Sequence, residues 1–110
     1  MGDPENAVYN PIMRFLKDLQ YKHKNRCYFW RTNTHRPKDR KNSHIPKGLP
    51  DIQGVFYGQY IGIETKAPNG HLSVGQKIMK CKIDNAGGRY IVARKVYDVK
   101  KVFEELEAKI

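Results

Sequence analysis

Residues 48–68 read GLPDIQGVFYGQYIGIETKAP, and no other stretch constrains the chain as strongly. Apolar and polar side chains alternate on both sides of Gly58-Gln59, which is the two-residue period of half-buried strands. Glycine in the first central position suits a type II′ turn, so the stretch reads as a β-hairpin. That turn sets Tyr57 opposite Tyr60, Gln53 opposite Glu64 and Asp51 opposite Lys66. Ile52, Gly54 and Phe56 then face Thr65, Ile63 and Ile61. Opposite residues share a face, and faces alternate along each strand. One face is therefore apolar, with Ile52, Phe56, Ile61 and Ile63. The other gathers Asp51, Gln53, Glu64 and Lys66 at one end, with Asp51 and Glu64 as diagonal neighbours about 7–8 Å apart at the backbone. A solvated face with a cross-strand Asp–Lys pair would account for these charges. Against it, the remainder of that face is Val55 and Gly62, and a sheet covered by helices has little solvated face to offer. Two carboxylates at this spacing can lean towards one cation.

The flanking segments supply the rest of a small α/β domain. Residues 4–22 predict a helix, with Val8, Ile12, Phe15, Leu16 and Leu19 in one apolar stripe and a kink at Pro11. CYFWRTN, residues 27–33, predicts a strand, and its Trp30 and the nearby tyrosines favour the core over a base-stacking surface. Residues 34–47, THRPKDRKNSHIPK, predict a basic loop. Ser73 and Gln76 form a capping-box pattern ahead of a helix over 74–86, which Gly87-Gly88 ends. Residues 89–95 predict a strand, and Asp98 caps a last helix with the stripe Val99, Val102, Phe103 and Leu106. The order is helix, three strands, helix, strand, helix. Three successive strands pair as antiparallel neighbours, and a helical crossover makes the fourth parallel. The expected fold is a mixed four-stranded sheet flanked by helices, in one domain over 1–110.

Charge points to the partner. Lys and Arg number 21 against 11 Asp and Glu, a net +10, and such an excess favours a polyanion, nucleic acid first. Membrane binding is disfavoured, because no run approaches the roughly 18 apolar residues of a span and no helix pairs a cationic face with a Trp/Leu/Phe face. MGDPENAVYN lacks a signal-peptide pattern, so a soluble cytoplasmic protein is expected. Cys27 and Cys81 have no metal-knuckle spacing and read as reduced thiols, and the four histidines are scattered.

Gly48 with Pro50-Asp51, followed by Glu64-Thr65-Lys66, resembles the PD-(D/E)xK nuclease signature. More narrowly, the chain resembles the virus-type replication-repair nuclease family (VRR-NUC). That family's pattern adds an acid early in the first helix, here Glu5, and a glutamine opening the next helix, here Gln76. The resemblance implies a restriction-endonuclease-like core (αβββαβ plus a C-terminal helix). It also implies phosphodiester hydrolysis with Mg²⁺ or Mn²⁺, held by Asp51, Glu64 and the backbone carbonyl of Thr65.

Such chemistry suits these side chains. Mg²⁺ takes oxygen ligands, and one or two carboxylates plus substrate phosphate suffice. Lys66 lies on the face of Glu64 and can orient a water or stabilise developing negative charge. Gln76 has two readings, as a cap for Ser73 or as a group directed at the metal. Glu5 likewise reads as a metal-site acid or as a first-turn acid favoured by the helix dipole. Arg36, Lys38, Arg40, Lys41 and Lys47 can track DNA phosphates beside the site. Small stand-alone members of the family resemble homodimeric Holliday-junction resolvases of bacterial or phage-infected cells, acting on branched DNA. A monomeric flap or nicking endonuclease, or a non-catalytic basic binding module, are the alternatives.

Overall fold

The computed structural model describes residues 4–32 and 46–110, the side chains of residues 4 and 5 excepted. Its elements follow the expected order: α1 (Pro4–His23), a 3-10 turn (Lys24–Arg26), β1 (Cys27–Arg31), β2 (Ile52–Phe56), β3 (Gln59–Thr65), α2 (Val74–Asn85), β4 (Arg89–Ala93) and α3 (Val96–Glu107). The sheet runs β1-β2-β3-β4, antiparallel between the first three strands and parallel between β3 and β4. The structure is thus a mixed four-stranded sheet flanked by helices. No helix among the described residues is long and apolar enough to cross a membrane.

The hairpin turns one residue earlier than its glycine suggested. Phe56 pairs with Gln59 and Ile52 with Ile63, so the central residues are Tyr57 and Gly58. Both have positive φ, 49° and 83°, the mark of a type I′ turn rather than II′. A left-handed tyrosine costs about 1–2 kcal/mol, and its contacts explain why it is tolerated. The Tyr57 N–H donates to the Arg26 carbonyl at 2.7 Å, extending the β1–β2 ladder. Its ring lies edge-on to Phe56 and His23, and its hydroxyl bonds His23 Nδ1 at 2.8 Å. The whole register therefore moves by two residues. An even shift changes each residue's partner but not its face. The apolar face survives: Ile52, Ile61 and Ile63 are fully buried, and the α1 and α3 stripes that cover them are buried except for the half-buried Phe15.

Phe103 is the centre of that core. Its ring meets Phe15 of α1, Phe29 of β1 and Phe56 of β2 at centroid distances of 6.0, 5.6 and 5.3 Å. The single helix α1 continues through Pro11. Helix α3 starts before Asp98, whose Oδ2 reaches back to accept from the N–H groups of Arg94 and Lys95 at 2.8 and 3.2 Å. Asp98 therefore supports the first turn from inside the helix and does not precede it.

The opposite face is covered only in part. Helix α2 packs on β4 and has no buried residue. Tyr28, Trp30 and Val55, at the β1–β2 side, are 63%, 39% and 39% exposed. Cys27 and Phe29 take the core positions expected of their strand, whereas Trp30 does not. The residues differ because β1 has its apolar partner helices on one side only.

The end of α3 ties the hairpin tip to α1. Glu107 Oε2 accepts from His23 Nε2 at 2.7 Å and from Lys22 Nζ at 2.8 Å, and these two donors hold the carboxyl below the usual carboxylate range. A depressed folded-state value makes this contribution present above the ordinary carboxylate range and lost as pH falls through the folded value. Glu107→Gln is expected to lower stability by roughly 1 kcal/mol near neutral pH. Most of the loss comes from the His23 contact, because the exposed Lys22 is screened. Urea denaturation should show the gap between the two proteins closing as pH falls below about 4.

Candidate active site

The predicted acids meet at one edge of the hairpin, Asp51 just before the amino end of β2 and Glu64 near the carboxyl end of the antiparallel β3. Continuing the observed register one step beyond Ile52–Ile63 sets Asp51 level with Glu64, not diagonal to it. The expected Asp51–Lys66 pairing is thus replaced by an Asp51–Glu64 pairing. Asp51 is half-buried, and Glu64 is 4% exposed. They line one open cleft of about 350 Å³ together with Thr32, Lys47, Gly48, Ser73 and Gln76.

Each acid is oriented by its neighbours. Asp51 Oδ2 accepts from the Thr65 N–H at 2.9 Å and from the Thr65 hydroxyl at 2.7 Å. The Asp51 carbonyl accepts from the Thr32 N–H at 2.8 Å, which anchors the other side of the residue to the end of β1. Glu64 Oε2 accepts from Gln76 Nε2 at 2.8 Å and lies 3.6 Å from the Lys66 ammonium. Lys66 is itself largely enclosed, its side chain 14% exposed. The register shift therefore leaves Lys66 beside Glu64, on the face expected for it.

Gln76 makes its predicted cap and also reaches Glu64. Its Oε1 accepts from the Ser73 N–H at 2.9 Å, while the Ser73 hydroxyl accepts from the Gln76 N–H at 3.1 Å. Its Nε2 is then free to face Glu64. The amide orientation is unambiguous, since Ser73 N–H only donates and a carboxylate only accepts. The capping box thereby doubles as the support of a buried acid.

The G-x-P-D step has a steric meaning. Gly48 has φ +83° and presses against the first turn of α2, where a Cβ would collide with the backbone of Gly75. Pro50 is buried over Gly62 of β3, where a Cβ on the glycine would stand 2.6 Å from the Pro50 ring. Two glycines thus let the chain pass between α2 and the sheet, and Asp51 emerges next to Glu64. Tyr90 fastens this passage: its hydroxyl donates to the Gly48 carbonyl at 3.2 Å. Burial first, and then the negative charges of Glu64 and Asp51, push its phenol above the ordinary range. Sequence reasoning missed Tyr90, because a tyrosine in a strand carries no sign of the loop it will meet.

Lys47 lies at the cleft, whereas Arg36, Lys38, Arg40 and Lys41 lie outside the described residues. The backbone of Glu5 sits in the first turn of α1, and its side chain is outside the described set. Among the described residues no cluster of three or more His, Cys, Asp or Glu side chains is present. The donors that do converge are two carboxylates at an open cleft, with Thr65 between Glu64 and Lys66. Hard oxygen donors of this number fit a divalent cation such as Mg²⁺, which keeps several waters. Neither cysteine is near: Cys27 is buried in the core and Cys81 is exposed on α2. Comparison with protein-family models, curated proteins and solved structures returns no match.

Gly48→Ala meets both a left-handed backbone and a collision, whereas Gly58→Ala meets only the left-handed backbone, with open space around it. Gly58→Ala is expected to cost about 1 kcal/mol and Gly48→Ala about 2–4 kcal/mol. Thermal unfolding of the two variants would measure the difference.

Proposed function

We propose that the chain is a metal-dependent, structure-selective DNA endonuclease of the PD-(D/E)xK type, similar to VRR-NUC domains. The observation that carries this reading is the pairing of Asp51 with Glu64 at an open cleft, with Lys66 against Glu64. A core or surface ion pair alone does not account for it. A buried acid is costly unless partners answer it, and here the answering groups sit at the wall of an accessible cleft. The net charge of +10 suits a phosphate backbone.

Asp51, Glu64 and the Thr65 carbonyl would hold the cation. When bound, Mg²⁺ supplies Lewis-acid polarisation of a phosphodiester oxygen and an oriented water. The chain's own part is positional and electrostatic. Thr65 holds Asp51 by two hydrogen bonds, both to Oδ2. Gln76 fixes the Glu64 carboxylate against the α2 N-terminus. Lys66, 3.6 Å from Glu64 Oε2, brings a fixed cation against an acid of the cleft and would stabilise negative charge developing on the phosphate. Lys47 and the basic segment 36–41 would bind flanking phosphates.

Within this class the reading is a homodimeric Holliday-junction resolvase. One hairpin makes one cutting centre, and resolving a four-way junction takes two symmetric nicks. A twofold dimer supplies them.

Asp51→Asn, Glu64→Gln and Lys66→Met should each slow cutting of a labelled four-way junction by at least about 100-fold, with binding retained. EDTA should do the same to the parent protein. Unaltered cutting by all three variants would remove the enzymatic reading. Binding should weaken steeply with salt, and a flat log–log slope would exclude phosphate contacts as its source. Sedimentation is expected to show a dimer at micromolar concentration. A monomer that still makes paired nicks would refute the symmetric scheme.

A further inference from the structure

The uncovered half of the sheet carries a second feature that the nuclease chemistry does not use. Tyr28 and Trp30 project from β1 on the face away from α1 and α3, with rings 5.7 Å apart and inclined by 32°. They are 63% and 39% exposed, with Val55 beside them. Exposed aromatic pairs on a strand are costly to leave in water and are not explained by packing.

Position gives this pair a direction. Residues 28, 30 and 32 fall on one side of the strand path at a two-residue repeat. Thr32 lines the cleft of Asp51 and Glu64, and its hydroxyl accepts from Gln53 Nε2 at 2.9 Å. At the far end Tyr28 and Val55 share a hollow of about 280 Å³ with Arg26. Cations therefore stand at both ends of the row, Arg26 at one and Lys47 at the other.

We propose that this row is a stacking track for the unpaired bases of a DNA single strand leading into the cleft. The inference rests on DNA being the partner, as proposed above, but not on its being cut. The Tyr28 and Trp30 rings stand 5.7 Å apart, well beyond the roughly 3.4 Å rise of duplex DNA. That spacing accepts bases drawn apart from one another. A duplex interior offers base edges, not base faces, whereas a single strand offers both faces. Arg26 and Lys47 take the flanking phosphates. The substrate class is accordingly a branched DNA, four-way junctions included, whose bases beside the scissile bond are opened on binding.

Trp30 is the sole tryptophan of the chain, so its fluorescence reports this surface alone. The experiment titrates the parent protein in EDTA with oligothymidylate and with an abasic oligomer of equal length. Oligothymidylate should quench Trp30 emission and bind about tenfold tighter or more than the abasic strand, the effect of a stacked base. Tyr28→Ala should lose about tenfold for the single strand and leave duplex affinity unchanged. Equal binding of both oligomers with unchanged emission would overturn the track while leaving a phosphate-binding nuclease intact. Dissociation of a dimer by Tyr28→Ala would also overturn it and give the surface to a second copy of the chain. Failure to bind any DNA would overturn both this inference and the nuclease reading.

Discussion

Glu64 sits on β3, a strand with hydrogen-bonded neighbours on both sides, and it is almost wholly buried. Burying a carboxylate costs several kcal/mol unless hydrogen bonds and an opposite charge compensate. The surrounding structure can be understood from that requirement. The Gln76 amide reaches Glu64 only because α2 starts at Ser73, and α2 is held there by the close approach of Gly48. The same approach draws Pro50 over Gly62 and delivers Asp51 opposite the acid. Lys66 follows two residues later on the same face. A glycine, a proline and a cap, separated by up to 28 positions, meet at one oxygen-lined cleft, with Lys66 against its buried acid.

The division of labour between the two faces of the sheet follows from the helices. α1 and α3 bury one face under a contiguous apolar core centred on Phe103. That face supplies the stability. The other face has a single short helix with no buried residue, so it remains available for polar and aromatic groups. Gln53 illustrates the result: it accepts from the Tyr60 hydroxyl at 3.0 Å and donates to Thr32, linking three strands by side chains rather than by packing. A small domain with one good core can leave its other surface free for binding.

Much of the fold was legible from local patterns. The stripes of α1 and α3 name their buried residues, and the alternation around Gly58 names the buried face of the hairpin. The turn falls one residue before the position that local pattern favours, because glycine suits a left-handed site in either of two positions and local chemistry disfavours tyrosine in the other. Tyr57 occupies it because His23, Arg26 and Phe56 hold its ring and hydroxyl, and His23 and Arg26 lie far outside the turn. The difference leaves the faces intact, since a shift of two residues preserves them. Hydrophobicity alone favours the core for Trp30, but it says how a side chain prefers to be placed and not whether a helix arrives to cover it.

The sequence by itself determined the elements, their order and the side of the hairpin on which Asp51, Glu64 and Lys66 stand. These are set by periodicity and by caps, interactions spanning a few residues. Only the tertiary structure decided that Asp51 is level with Glu64, that Gln76 spans its own cap and that acid, and that Tyr90 secures the Gly48 loop. It also decided that Tyr28 and Trp30 face outward. Each of these depends on contacts between segments distant along the chain. Such contacts are settled by how the apolar faces pack, and no local pattern encodes that packing.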